Sequence, residues 1–127
     1  MARILIVDDD EGMTDLLKLH LRREGLEIET AADAVIALRS IMKQLPDLVL
    51  LDIEMPYMGG LELLKALKSD PMTKHRPVIV LTSRTDEDCY VQAKSLGADA
   101  FFTKPVSKEH LLREVAFRLA QSLAAPR

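Results

Sequence analysis

Apolar positions cluster into five short runs: "RILIV" (3–7), "LEIET" (26–30), "DLVLL" (47–51), "PVIVL" (77–81) and "DAFF" (99–102). Between them the apolar residues recur with helical period. Met13, Leu16, Leu17 and Leu21 fall on one face of the first such segment, and Ala34, Ala37, Leu38, Ile41 and Leu45 on one face of the second. The last, from about Ser107 to Leu123, aligns Leu111, Leu112, Val115 and Leu119. Strand then helix, five times over, predicts an α/β fold with a doubly wound parallel sheet of five strands and five helices. The central runs are apolar without alternation, as expected of strands covered on both faces. The second alternates and is expected at an edge. No repeat, linker or low-complexity tract interrupts the pattern. The closing "AAPR" reads as a frayed end, so one domain is expected over 1–124 with 125–127 as a tail.

Composition narrows the function classes. The chain has 127 residues, 48% hydrophobic and 29% charged, with a net charge of −3. That is an ordinary globular balance for one domain. Acidic and basic residues are mixed, and no basic block provides a nucleic-acid footprint. No run is long enough to span a membrane, and the N-terminus has no signal-peptide layout. The single cysteine, Cys89, excludes an internal disulfide and reads as a small core residue. A reducing, cytoplasmic setting is expected.

The candidate chemistry lies where the strands end. Asp8, Asp9 and Asp10 follow the first run, Asp52 the third, Thr82 and Ser83 the fourth, and Lys104 the fifth. In an open parallel sheet all carboxyl ends share one edge, where ligands bind. One Asp after a strand is commonly just a helix cap. Such residue types at four of five strand ends are a different matter. Clustered carboxylates repel unless a cation sits among them. With no His or Cys in the set, oxygen ligands suit Mg2+, with Mn2+ as a substitute. Lys104 supplies a second, fixed positive charge. Such a site suits phosphoryl transfer to a carboxylate.

These residues carry a resemblance. In "VDDD", "LLDIEMPYMGG", "VIVLTS" and "GADAFFTKP", in this order and spacing, the chain resembles the receiver domain of bacterial two-component response regulators from Ile4 to about Leu123. The resemblance implies the strand order 2-1-3-4-5 of a flavodoxin-like fold. It implies that Asp52 is the phospho-acceptor, taking the phosphoryl group from a histidine kinase or histidine phosphotransfer protein. Asp9 and Asp8 are implied metal ligands with Asp52, joined by the backbone carbonyl of Glu54. Thr82 is the implied switch hydroxyl, Lys104 the lysine that pairs with the phosphoryl group, and Phe101 the aromatic whose rotamer reports the state. Pro105 is expected after a cis peptide bond, and Met55, Pro56 and Gly60 in the loop after the acceptor. Asp10 is left to cap the first helix. In the family the positions of Glu54 and Arg84 tune dephosphorylation, and their opposite charges could pair across the pocket mouth. Catalysis is expected to be limited to self-phosphotransfer and autodephosphorylation.

The family's output face is formed by the fourth helix, fifth strand and fifth helix. Tyr90 lies off the stripe of Cys89, Ala93 and Leu96. Phe117, with Ala120 and Ala124, lies about 200° round the last helix from Val115. Both aromatics are expected exposed there, with Phe101 between the two helices, as part of a contact with an output partner or fused output domain, or a phosphorylation-dependent dimer. Ala100 replaces the Asp of the "GADD" motif through which one group of DNA-binding regulators dimerises, so a more apolar contact is expected. His20, His75 and His110 have no metal-ligand spacing and read as boundary or solvated residues. Two other readings stand beside this one. A small Mg-dependent hydrolase with an Asp nucleophile needs a D-x-D-x-T pattern after the first strand, and Gly12 stands where its Thr belongs. An unphosphorylated receiver-fold interaction module usually lacks the acceptor, the lysine or the acidic pair, and all three are here.

Overall fold

A computed structural model describes residues 2–23, 25–55 and 59–124. Five strands, β1 (Ala2–Val7), β2 (Leu26–Ala31), β3 (Leu48–Leu51), β4 (Val78–Thr82) and β5 (Ala100–Thr103), alternate with α1 (Glu11–Leu21), α2 (Ala34–Lys43), α3 (Gly60–Ser69), α4 (Glu87–Ser95) and α5 (Lys108–Ala124). All pairings are parallel and the order is β2-β1-β3-β4-β5. The predicted doubly wound sheet is therefore present, with β2 at an edge. The tail 125–127 and Pro56 lie outside the described residues.

Alternate strand residues point to opposite faces, and the two faces build two cores. Leu5, Val7, Val49, Leu51, Val78 and Val80 pack under α2, α3 and α4, meeting Ala37, Ile41, Leu63, Leu64, Leu67, Cys89 and Ala93. Ile4, Ile6, Leu48, Leu50, Ile79 and Leu81 pack under α1 and α5, meeting Leu17, Leu21, Leu111, Val115 and Leu119. β-Branched and Leu side chains on both faces explain why these strands lack alternation.

Two predictions of detail need correction. Leu16 is 45% exposed, and Thr14 takes the buried place on α1 beside Leu17 and Leu21. The Thr14 hydroxyl donates to its own helix, to Glu11 O at 2.9 Å, so it enters the interface satisfied. Thr82 is the last residue of β4 and pairs with Thr103, rather than following the strand.

The amino-terminal edge of the sheet has charges of its own. Arg3 binds Glu27 and Glu29, and Arg76 binds Asp47 at 3.2 Å. Lys68 binds Asp99 at 2.8 Å, and Asp99 also accepts from Val78 N–H at 2.8 Å. A hydrogen bond from Ser40, with Arg3 and Lys43 adding attraction, holds the Glu29 carboxyl below its ordinary range despite some burial. Each of these acids has a basic side chain beside it, whereas at the opposite edge one lysine is shared between two buried carboxylates.

Candidate functional site

The carboxyl ends of β1, β3, β4 and β5 deliver Asp8–Asp10, Asp52, Thr82 and Lys104 to one place. Backbone bonds fix the loops: Asp8 N–H donates to Ala31 O at 3.0 Å, Asp52 N–H to Val7 O at 2.9 Å, and Lys104 N–H to Thr82 O at 2.7 Å. Asp10 caps α1, accepting from Met13 N–H at 3.1 Å. Its carboxylate is not one of the three that gather at the site. The Lys104–Pro105 peptide is cis.

Asp8 and Asp52 are buried, and Asp9 is exposed. Each of the three offers a carboxylate oxygen, and these atoms lie within 4.8 Å of one another. At that separation and an effective dielectric near 20, two unit charges repel by about 3.5 kcal/mol. One fixed cation offsets part of this. Lys104 Nζ lies 2.7 Å from Asp8 Oδ2 and 3.2 Å from Asp52 Oδ2. Burial pulls the Lys104 ammonium down, but the Asp8 hydrogen bond and the charges of Asp52 and Asp8 outweigh it and raise its pKa. The other carboxylate oxygens accept backbone donors, Asp8 Oδ1 from Asp10 N–H at 2.9 Å and Asp52 Oδ1 from Glu54 N–H at 2.9 Å. Three carboxylates against one ammonium leave excess negative charge in a partly buried place, and their oxygens form a donor set of the kind a hard divalent cation takes. On the Asp9 side the cluster opens into a cleft of about 340 Å3, also lined by Glu11 and Thr30.

Thr82 is 0% exposed. Its hydroxyl donates to Glu54 Oε1 at 3.3 Å and accepts from Arg84 N–H at 3.3 Å. Glu54 Oε1 also accepts from Ser83 Oγ at 3.2 Å. The expected Glu54–Arg84 pair is not what forms. The Arg84 guanidinium binds Asp86 through Nε at 3.0 Å and through a second nitrogen at 2.9 Å. A partner two residues away, reached bidentately, wins over one across the cleft. That bond with Asp86 raises the Arg84 pKa and lowers that of Asp86. The contact between Glu54 and Thr82 has no signal in the sequence, because it depends on how a side chain folds back from a loop.

Gly60 stands at the start of α3, with its N–H donating to Ile53 O at 3.2 Å. A Cβ there would lie 2.2 Å from Ile53 Cα and 2.6 Å from Asp52 O. Only a glycine lets the helix approach the segment that carries Asp52 so closely.

Phe101 packs with the core under α2, α3 and α4, and its ring meets Tyr90 edge-on at 5.2 Å. It therefore packs on the α4 side, and its neighbour Phe102 packs with the core under α1 and α5. Tyr90 is 45% and Phe117 53% exposed, and the Arg118 guanidinium lies 5.2 Å from the Phe117 ring centroid. His20 is half-buried, and His75 and His110 are exposed. Cys89 is buried, which raises its thiol pKa. Among the described residues, no helix is long and apolar enough to cross a membrane.

The sheet order, the strand-end acids and the lysine define a receiver-type α/β domain. Residues 4–116 match the family described as the response regulator receiver domain, and the chain belongs to that family. It is 40% identical over 114 residues to the response regulator PleD of Caulobacter vibrioides, covering 90% of this chain and 25% of that protein. It is 34% identical over 122 residues to the phosphate regulon transcriptional regulatory protein PhoB of Rhizobium meliloti, covering 96% of this chain and 54% of that one. The chain thus spans between a quarter and about half of these relatives. Among solved structures, the receiver domain of a signal transduction histidine kinase from Syntrophus aciditrophicus superposes with a TM-score of 0.91 at 32% identity, covering 99% of this chain and 96% of that one. The chemotaxis protein CheY4 of Vibrio cholerae superposes with a TM-score of 0.84 at 33% identity, covering 92% and 98%. The chain is therefore a receiver domain of the two-component response-regulator type, a signalling domain.

Proposed function

We propose that Asp52 accepts a phosphoryl group and that its charge switches the surface formed by α4, β5 and α5. The observation that carries this reading is the set of three carboxylates within 4.8 Å of one another, with Lys104 bonded to two of them. Asp8, Asp9, Asp52 and the backbone carbonyl of Glu54 would hold Mg2+, or Mn2+ in its place. When bound, the metal supplies the charge that neutralises phosphoryl oxygens. The remaining work falls to the chain. An Asp52 carboxylate oxygen forms a bond to phosphorus as the bond from phosphorus to the donor breaks, and the leaving group departs with that electron pair. Lys104, already beside Asp52, pairs with a phosphoryl oxygen. Thr82 donates its hydroxyl hydrogen to another. Hydrolysis of the aspartyl phosphate returns the carboxylate.

The donor in this reading is the phosphohistidine of a histidine kinase or phosphotransfer protein, in the cytoplasm. In this reading Phe101, whose ring meets Tyr90, carries the Thr82 movement to the exposed Tyr90, and Phe117 on α5 belongs to the same output surface. Those residues would meet an output domain, a separate partner or a second copy of the chain. Incubation with acetyl phosphate and Mg2+ tests the reading. It predicts about one phosphoryl group per chain, and none when a chelator is present from the start. Rapid turnover of donor with no phosphoryl group retained at Asp52 would indicate a hydrolase, and neither labelling nor turnover an unphosphorylated module.

A further inference from the structure

We infer that the Glu54 carboxylate is a latch that holds the Thr82 hydroxyl off the phosphorylation site until it is displaced. The inference rests on the proposed phosphorylation of Asp52 and adds the residue that opposes the switch. A hydroxyl has one hydrogen to donate and two lone pairs. The Thr82 hydrogen goes to Glu54 Oε1 at 3.3 Å, and one lone pair takes the Arg84 N–H at 3.3 Å. Thr82 therefore cannot donate to a phosphoryl oxygen while it donates to Glu54. The side chain is fully buried, so bulk water does not supply an intermediate partner.

The latch is built to release. Glu54 is exposed, so its freed carboxylate moves into water at little desolvation cost. Ser83 Oγ, at 3.2 Å, steadies the same oxygen while the latch is closed. Glu54 N–H donates to Asp52 Oδ1 at 2.9 Å, so latch and acceptor share one short loop. Negative charge added to Asp52 repels the nearby Glu54 carboxylate. The event that calls for the Thr82 hydroxyl thus also drives away its competitor. Arg84 does not intervene, because its guanidinium is held by Asp86.

Beryllofluoride, which mimics a phosphoryl group on a carboxylate, tests this by calorimetric titration of the whole chain in excess Mg2+. Glu54→Ala is expected to tighten binding about fivefold, the scale of one modest hydrogen bond. Glu54→Gln keeps an acceptor oxygen but loses the charge, and is expected to stay within about twofold of wild type. In a Thr82→Ala background the Glu54→Ala gain should vanish, as coupling through one hydrogen bond requires. Equal tightening by Glu54→Ala and Glu54→Gln, or a gain that persists without the Thr82 hydroxyl, would reduce the effect to simple charge and overturn the latch. Wild-type chain that binds no beryllofluoride would instead sink the Asp52 reading. The latch is then judged by the NMR signal of the Thr82 methyl group in chain free of mimic. Glu54→Ala should move that signal and Glu54→Gln should leave it; a signal unmoved by Glu54→Ala overturns the latch whatever the titrations give.

Discussion

Gly60→Ala is expected to damage both stability and phosphorylation, while Gly59→Ala next to it is expected to do neither. The added Cβ at position 60 would lie 2.2 Å from Ile53 Cα and 2.6 Å from Asp52 O. Carbon atoms in contact prefer about 3.5–4.0 Å, so α3 and the Asp52–Ile53 segment must part by more than about 1 Å. Both crowding groups are backbone, which has no rotamer to escape into. Overpacking of this kind typically costs about 1–3 kcal/mol. Alanine recovers about 0.4–1 kcal/mol by restricting the unfolded chain. A net loss of about 2 kcal/mol is expected, because relief by backbone movement disturbs the sheet edge as well as α3. At position 59 a Cβ meets only the Glu62 carboxylate, at 3.7 Å, and the backbone there is already extended at φ −70° and ψ 158°. Gly59→Ala should therefore stay within about 0.5 kcal/mol of wild type. Urea unfolding reads both. With a slope of about 2 kcal/mol per molar, the Gly60→Ala midpoint should fall by about 1 M. Labelling by acetyl phosphate should slow in the same variant, since Asp52 moves with its carbonyl. A Gly60→Ala chain as stable as wild type and labelled at the same rate would refute the close-approach reasoning.

Mg2+ at a hundredfold excess over its dissociation constant should add about 2.7 kcal/mol of stability by mass action, and Asp9→Ala should lose most of that gain; a melting temperature indifferent to millimolar Mg2+ would count against the site. Lys104→Met should cost about 3 kcal/mol without metal, because it strands two buried carboxylates. The Lys104 pKa is raised in the folded chain, so its contribution is complete below the ordinary lysine range near 10.5 and fades as pH climbs through the folded value. The stability gap between wild type and Lys104→Met should therefore be flat to about pH 10 and narrow above it, and a gap that widens there would contradict the sign. Tyr90→Ser with Phe117→Ser should abolish any self-association induced by beryllofluoride without changing mimic binding, read by sizing; unaltered association would place the contact elsewhere.

Which parts of this were legible in the chain follows from how local each determinant is. Strand ends are marked by the switch from apolar runs to Asp8, Asp52 and Lys104, and parallel topology then gathers those ends without any knowledge of side-chain geometry. Strand coverage on both faces was legible for the same reason, since β1, β3 and β4 lack alternation. The phase of α1 was not. Leu16 and Thr14 both fit an apolar stripe of tolerable width, and docking against the sheet decided for Thr14 because its hydroxyl is satisfied within the helix. The fate of Arg84 was hidden too. Charge alone pairs it with Glu54, whereas the bidentate geometry offered by Asp86 depends on the turn that also makes Asp86 the α4 cap, accepting from Cys89 N–H at 3.0 Å. Phe101 and Phe102 are adjacent in sequence, and only the pleat assigns one to each core.

The central claim is that Asp52 is the residue that carries the phosphoryl group. Peptide mass spectrometry after acetyl phosphate and Mg2+ tests it most directly, on wild type and on Asp52→Asn, whose amide keeps the shape but is a poor nucleophile. The expected result is a single phosphorylated peptide containing Asp52 in wild type and no labelled peptide in the folded variant. A phosphoryl group found on another residue, or labelling of Asp52→Asn at the wild-type rate, would contradict the account.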